Sequence, residues 1–193
     1  MKVICISGIA RSGKDTSADY MKTDLEKRGY RVLIAHYADL VKYVSKTFFD
    51  WNGEKDEKGR TILQYVGTDV VRTQDSNYWV DFIADMLTFF NDKWDYVLIP
   101  DTRFPNEIVR MKEKGFDVTS VRITRINFES ELTEAQKKHP SETALDNYIF
   151  DYRVTNDTLE GFYSNLSGLI DSILLYDRKK EPTPSWFKEF LNA

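Results

Sequence analysis

Lys14 closes the run Gly8-Ile9-Ala10-Arg11-Ser12-Gly13, which gives the spacing Gly-x-x-x-x-Gly-Lys. That pattern suits one chemistry. Glycines let the backbone curl until successive N–H groups point inward at phosphate oxygens, and the lysine brings a mobile point charge to the outer phosphates. The residue after the lysine is Asp15, where Ser or Thr is commoner, and Thr16 follows it. A carboxylate there can hold a divalent cation directly or through water, and Thr16 can reach an inner phosphate. A second group lies at Pro100-Asp101-Thr102-Arg103, where an acid and a phosphate-forking arginine sit two residues apart.

These residues need elements to hold them. Val3-Ile4-Cys5-Ile6-Ser7 is short, apolar and β-branched, the pattern of a buried parallel strand. A helix then runs through Met21, Leu25 and Lys27 to a stop near Gly29, and its N-terminus adds a positive dipole end to the glycine loop. Tyr30 to Tyr37 reads as a second strand, joined to the first by a right-handed crossover. The helix after it carries Val41, Val44 and Phe48 on one face, with Lys42 in its first turn. From spacing alone Lys42 is a solvated lysine.

Residues 50–60 read as a polar, glycine-punctuated loop. Helical periods follow over 61–72, interrupted at Gly67, and over 78–87. Most of Tyr65, Val66, Val70, Phe82, Ile83 and Leu87 are expected in the core. A third strand, Asp95 to Pro100, delivers Asp101 to the sheet's C-terminal edge, where such an acid orients Mg²⁺ in enzymes with this loop. Pro105 starts a helix that runs to Lys114, and Asp117 to Arg125 is a fourth strand. The polar stretch from Ile126 to about Asn147, with His139 and Glu142, has the character of a lid. Tyr148 to Val154 reads as the fifth strand. Asp157 or Thr158 then caps a helix with Leu159, Phe162, Tyr163, Leu166, Leu169, Ile170 and Ile173 inside. Residues 182–193 read as a short amphipathic helix.

The 193 residues suffice for one well-buried α/β domain. A net charge of -4 argues against a general nucleic-acid binder. The lone Cys5 reads as a packed apolar residue and excludes an intrachain disulfide; no Cys/His cluster suggests zinc. With no apolar run of membrane-spanning length and too short an apolar start for a signal peptide, a soluble cytoplasmic protein is expected, without membrane or nucleic-acid partners.

The chain resembles the deoxynucleoside monophosphate kinases of tailed bacteriophages, within the wider nucleoside monophosphate kinase group of P-loop proteins. The resemblance rests on Ser7-Gly8 with Arg11-Ser12-Gly13-Lys14-Asp15-Thr16, Gly67-Thr68-Asp69, Tyr78-Trp79-Val80, Pro100-Asp101-Thr102-Arg103 with Glu107, and Thr155-Asn156-Asp157. The Gly-Lys-Asp-Thr form, unusual for the loop in general, is this family's own version. The resemblance implies a single three-layer α/β/α P-loop domain over 1–193 with a parallel five-stranded sheet. It also implies an acceptor-binding helical insertion at about 40–92 and a lid at about 125–147. The implied reaction is ATP + dNMP → ADP + dNDP with Mg²⁺, between small-molecule nucleotides. A homodimer is compatible with it.

By the same resemblance Gly8, Arg11, Ser12, Gly13, Lys14, Asp15 and Thr16 hold ATP, with Asp15 and Asp101 at the metal. Lys42, Arg72, Asp101, Arg103 and Glu107 hold the acceptor, and Arg125 closes over the moving phosphoryl group. Tyr78 and Trp79 flank the base, unless Trp79 is a core residue of its helix. His139 and Glu142 belong to the lid. A stacking pocket tolerates more than one base. Two alternatives stand beside this reading: a related P-loop kinase of dephospho-coenzyme A or phosphomevalonate, and a non-catalytic nucleotide-binding module.

Overall fold

A computed structural model describes residues 1–54, 56–126, 128 and 132–180. The amphipathic segment expected at 182–193 lies outside the described residues. Five parallel strands form one sheet in the order β2-β3-β1-β4-β5, with β1 Lys2–Ser7, β2 Val32–Ile34, β3 Tyr96–Thr102, β4 Asp117–Arg125 and β5 Tyr152–Asn156. The alternation of β1 sorts the layers. Ile4 and Ile6 face α1 (Lys14–Lys27) and α9 (Leu159–Lys180), meeting Met21, Leu25, Phe162 and Leu166. Val3 and Cys5 face the opposite way, toward α2 (Ala38–Phe48), α5 (Tyr78–Phe89) and α6 (Pro105–Glu113), with Val41, Trp79, Val80 and Ile108. Both faces of the sheet are thus covered, as an all-parallel sheet requires, and the molecule has the three-layer α/β/α P-loop fold. Cys5 is fully buried, and burial pushes its thiol up to about 12. Among the described residues no helix is long and apolar enough to cross a membrane.

Central β1 lies between β3 and β4, so the chain leaves it toward both sides of the sheet. Ligands of open α/β sheets bind at such a switch point, beyond the strands' C-terminal ends. There β1 delivers the glycine loop and β3 delivers Asp101.

Two strands depart from the sequence reading. β2 ends at Ile34 rather than Tyr37, because the N–H groups of Tyr37 and Ala38 turn away to the Asp101 carboxylate (3.1 and 2.8 Å) and start α2. β5 spans Tyr152–Asn156 rather than 148–154. Asp151 clips the strand's entry to β4, accepting from the backbone and hydroxyl of Ser120 (2.8 and 2.7 Å), while Ile149 is exposed. The apolar run before it therefore marks an approach, not the ladder.

The insertion is more ordered than its polarity suggests. Buried Trp51 donates to the Glu54 carbonyl (2.8 Å), and Asp56 caps α3 (Glu57–Gln64) by accepting from Gly59 (2.7 Å). The break expected at Gly67 is a π-helical stretch, Tyr65–Val70, before α4 (Val71–Gln74). Gly67 packs closely on α2, since a Cβ there would stand 3.2 Å from a Val41 methyl, which would have to shift. Val66 and Leu87 are buried as expected; Tyr65, Phe82 and Phe48 are exposed. The segment between β4 and β5 holds α7 (Glu134–Lys138), with a reciprocal Thr133/Gln136 cap, and α8 (Pro140–Thr143).

Candidate active site

The glycine loop is shaped by close approach. A Cβ on Gly8 would stand 2.4 Å from the Ser12 hydroxyl and 2.6 Å from the Ile123 carbonyl. Gly13 begins α1 in a left-handed conformation (φ 103°), and a Cβ there would meet Asn156 at 2.7 Å. Arg11 takes a left-handed backbone (φ 60°) between them. Lys14 lies folded along the loop, its Nζ donating to the carbonyls of Gly8 and Ile9, both at 2.8 Å. Burial, and then the nearby Arg103 charge, lower its ammonium to about 8.

Beside the loop is a cavity of about 360 Å³. Arg11, Gly13, Lys14, Asp15, Thr16 and Arg125 line it, together with four residues the sequence reading did not name as nucleotide contacts: Asn156, Asp157, Leu159 and Phe162. Asn156 pins the loop by donating to the Ser12 carbonyl (2.9 Å), and Arg125 donates to the Arg11 carbonyl (3.1 Å). The signal for Asn156 was the motif Thr155-Asn156-Asp157. Its meaning needed the true end of β5, which lies against Arg125 of β4.

Asp101 is partly buried, with its two oxygens accepting the N–H groups that open α2, and desolvation raises its pKa. His36, which the sequence did not single out, stands between two carboxylates: 3.8 Å from Asp15 and 3.6 Å from Asp39. Asp15 raises its pKa, against partial burial. Only its place just past a strand end could have flagged it. Lys42 is paired with Asp39 at 2.7 Å.

Glu107 corrects an expectation. Read as a substrate contact, it is 1% exposed, with its acceptors in use: Oε1 takes the Arg72 guanidinium, and Oε2 takes the N–H groups of Arg103 (2.6 Å) and Phe104 (3.0 Å). It ties the Arg72 side chain to the Arg103 backbone, with Arg72 also lying over the Phe104 ring at 4.2 Å. Trp79 is a second correction: it is 2% exposed and donates to the Gly67 carbonyl (2.9 Å), so it is a core residue. Tyr78, half-exposed, packs edge-on against it. Before β5, His139 contacts Ser141 (2.8 Å) and lies 3.5 Å from Asp69 of the π-helical stretch, while Glu142 meets Arg103.

The donor chemistry suits a magnesium ion shared with phosphates. Asp15 offers a largely exposed hard carboxylate at the rim of the cavity, with Thr16 adjacent. Asp101 is already engaged with backbone, which suits contact through water. Among the described residues no group of three or more His, Cys, Asp or Glu forms a cage, and magnesium needs only one or two protein carboxylates when phosphates and waters complete its shell.

A family model described as deoxynucleotide monophosphate kinase matches residues 34–166, starting beyond the glycine loop. The chain is 24% identical to the deoxynucleotide monophosphate kinase of Enterobacteria phage T4, covering 88% of this chain and 99% of that one. It is 29% identical to a putative deoxynucleotide monophosphate kinase of Acanthamoeba polyphaga mimivirus, covering 89% and 97%. Among solved structures, the Mycobacterium tuberculosis APS kinase CysC in complex with AMPPNP and APS superposes with a TM-score of 0.51 at 12% identity, covering 88% of this chain and 95% of that one. That likeness is one of fold.

Proposed function

The chain belongs to the deoxynucleotide monophosphate kinase family and is a nucleotide kinase, and from that premise we propose that it moves the terminal phosphoryl group of ATP to a deoxynucleoside monophosphate. One observation carries the reading: two cationic groups suited to phosphates adjoin one another, with Lys14 in the field of Arg103 and Glu142 bridging the loop and Arg103. The glycine loop, Lys14, Arg11 and Arg125 surround the cavity, while Arg103 and Arg72, joined through Glu107, approach from β3 and α4. Phosphoryl transfer needs little proton chemistry. It needs in-line positioning and cancellation of charge on the moving group.

In this reading ATP enters the cavity, with its base near Asn156, Leu159 and Phe162 and its phosphates on the loop's N–H groups. Lys14 swings from the Gly8 and Ile9 carbonyls to the outer phosphates. Arg103 and Arg72 hold the acceptor monophosphate in line, with Lys42 at its edge and Tyr78 against the base. Arg125 covers the donor side. Asp15, with Asp101 behind it, would hold Mg²⁺, which supplies charge neutralisation at the phosphates. Residues of about 40–92 thus serve as the acceptor-binding insertion and those of about 125–147 as the lid.

A coupled assay of ADP formation with ATP and a panel of monophosphates tests this. The expected result is turnover with more than one deoxynucleoside monophosphate and weaker turnover with the ribonucleotides. Turnover with none of the panel would overturn it.

A further inference from the structure

The lid brings a carboxylate to the point where the two cationic groups meet. Glu142, on α8, accepts the Ala10 N–H through Oε2 (3.2 Å) and the Arg103 guanidinium through Oε1. Arg103 Nη1 also donates to the Ser141 carbonyl (3.0 Å), so lid backbone and lid carboxylate grip one guanidinium. The Glu142 side chain is 9% exposed. At the head of the same segment, His139 lies 3.5 Å from Asp69 on the insertion. The segment 139–142 therefore spans the cleft, tied to the loop and Arg103 at one end and to the insertion at the other.

These partners are those of a phosphate. One is a backbone N–H of the glycine loop, an element built to face phosphate oxygens. The other is an arginine fork, which matches carboxylate and phosphate equally well. A carboxylate seated on both cannot coexist there with a phosphoryl group, because the two anions would share donors and repel at close range. Lys14 is arranged in the same way, with its ammonium on loop carbonyls within the field of Glu142.

We propose that Glu142 is an internal anion at the phosphoryl-transfer position, displaced by both substrates, and that this shared displacement makes donor and acceptor bind with positive coupling. The inference rests on the kinase reading above. The donor's terminal phosphate competes with Glu142 for the Ala10 N–H, and the acceptor's phosphate competes for Arg103. Whichever arrives first expels the carboxylate, and the second then binds without that cost. A ligand whose competent state is only partly populated binds more weakly by that fraction, and a first ligand that removes the competitor restores it.

The test is calorimetric. The dissociation constant of AMPPNP with Mg²⁺ is measured alone and with a saturating deoxynucleoside monophosphate, then the reverse, for the wild type, Glu142→Gln and Glu142→Ala. In the wild type each ligand should tighten the other about five-fold or more. Glu142→Gln should bind each ligand alone more tightly by a comparable factor, with the coupling reduced to about one, and Glu142→Ala should agree. Variants that bind either ligand alone no more tightly than the wild type, or that keep the coupling, would overturn the proposal. So would weaker binding of both ligands with a lowered melting temperature, which marks a purely structural glutamate. A wild type that phosphorylates no monophosphate would overturn the kinase reading and this inference with it, whereas active wild type with unreleased variants sinks the inference alone.

Discussion

Burial lowers the Lys14 ammonium to about 8. Phosphates bring negative charge to the same nitrogen and raise its pKa again. The sign follows directly. Below about 8 the ammonium is charged both before and after nucleotide binds, so binding moves no proton. Above about 8, up to the raised value of the complex, the protein must take up a proton to bind, and affinity falls as pH rises. Calorimetry of AMPPNP binding in buffers of different ionisation enthalpy should show proton uptake at about pH 9 and almost none at about pH 7. Lys14→Met should abolish this uptake, lose about 3–4 kcal/mol of transition-state stabilisation and keep its melting temperature. Uptake that persists in the variant would assign the proton to another group.

At the scale of elements, the β3–α6 junction ties together Arg72 and Arg103, the arginines proposed to hold the acceptor. Glu107 is its centre: one buried carboxylate receives the Arg72 side chain and the Arg103 backbone. Removing one member of a buried ion pair typically costs about 3–5 kcal/mol, because the other charge is left without compensation. Glu107→Ala is therefore expected to melt earlier. Glu107→Gln keeps the shape and can still accept the backbone N–H groups. It should fold, raise the KM for the monophosphate several-fold and leave the KM for ATP unchanged. Equal increases in both would place Glu107 outside the acceptor machinery.

Packing of α5 against the π-helical stretch supplies a second test. Trp79→Ala should cost about 3–5 kcal/mol, equivalent to a fall of roughly 6–20 °C in a domain of this size, with normal monophosphate affinity in the folded fraction. Tyr78→Ala should do the reverse, raising the monophosphate KM at unchanged melting temperature. If instead Trp79→Ala alone weakens monophosphate binding, the base lies against the indole.

For the whole molecule, the cavity proposed to take ATP joins parts far apart in the fold: the loop after β1, Arg125 at the end of β4, and the turn from β5 into α9. A ligand bridging them should stabilise the domain globally. At about 100 times its dissociation constant a ligand adds about 2.7 kcal/mol, or roughly 5–10 °C here. Thermal denaturation with AMPPNP and Mg²⁺ should show that shift. Without Arg125 or Asn156 it should shrink, and an unchanged shift in both variants would remove them from the donor site.

The glycine loop was legible in the residues because its closing hydrogen bonds are local, with Lys14 reaching back to the carbonyls of Gly8 and Ile9, although the space that Gly8 and Gly13 must leave is set by Ile123 and Asn156 far along the chain. Layer assignment was legible for the same reason, since alternation along β1 sorts Ile4 and Ile6 from Val3 and Cys5. The buried stripe of α9 could likewise be read from its period, apart from exposed Leu159. Partner choice was not legible. Nothing near Glu107 says that its carboxylate serves Arg72, 35 positions away, nor that Glu142 reaches Arg103 across 39 positions and Ala10 across 132. The same holds for Trp79 turning inward while Phe82 faces out, which depends on the carbonyl that the π-helical turn presents at Gly67. A periodic pattern states which residues share a face; which neighbour covers that face, and which charge finds which, is decided only when burial makes an unpaired polar group costly.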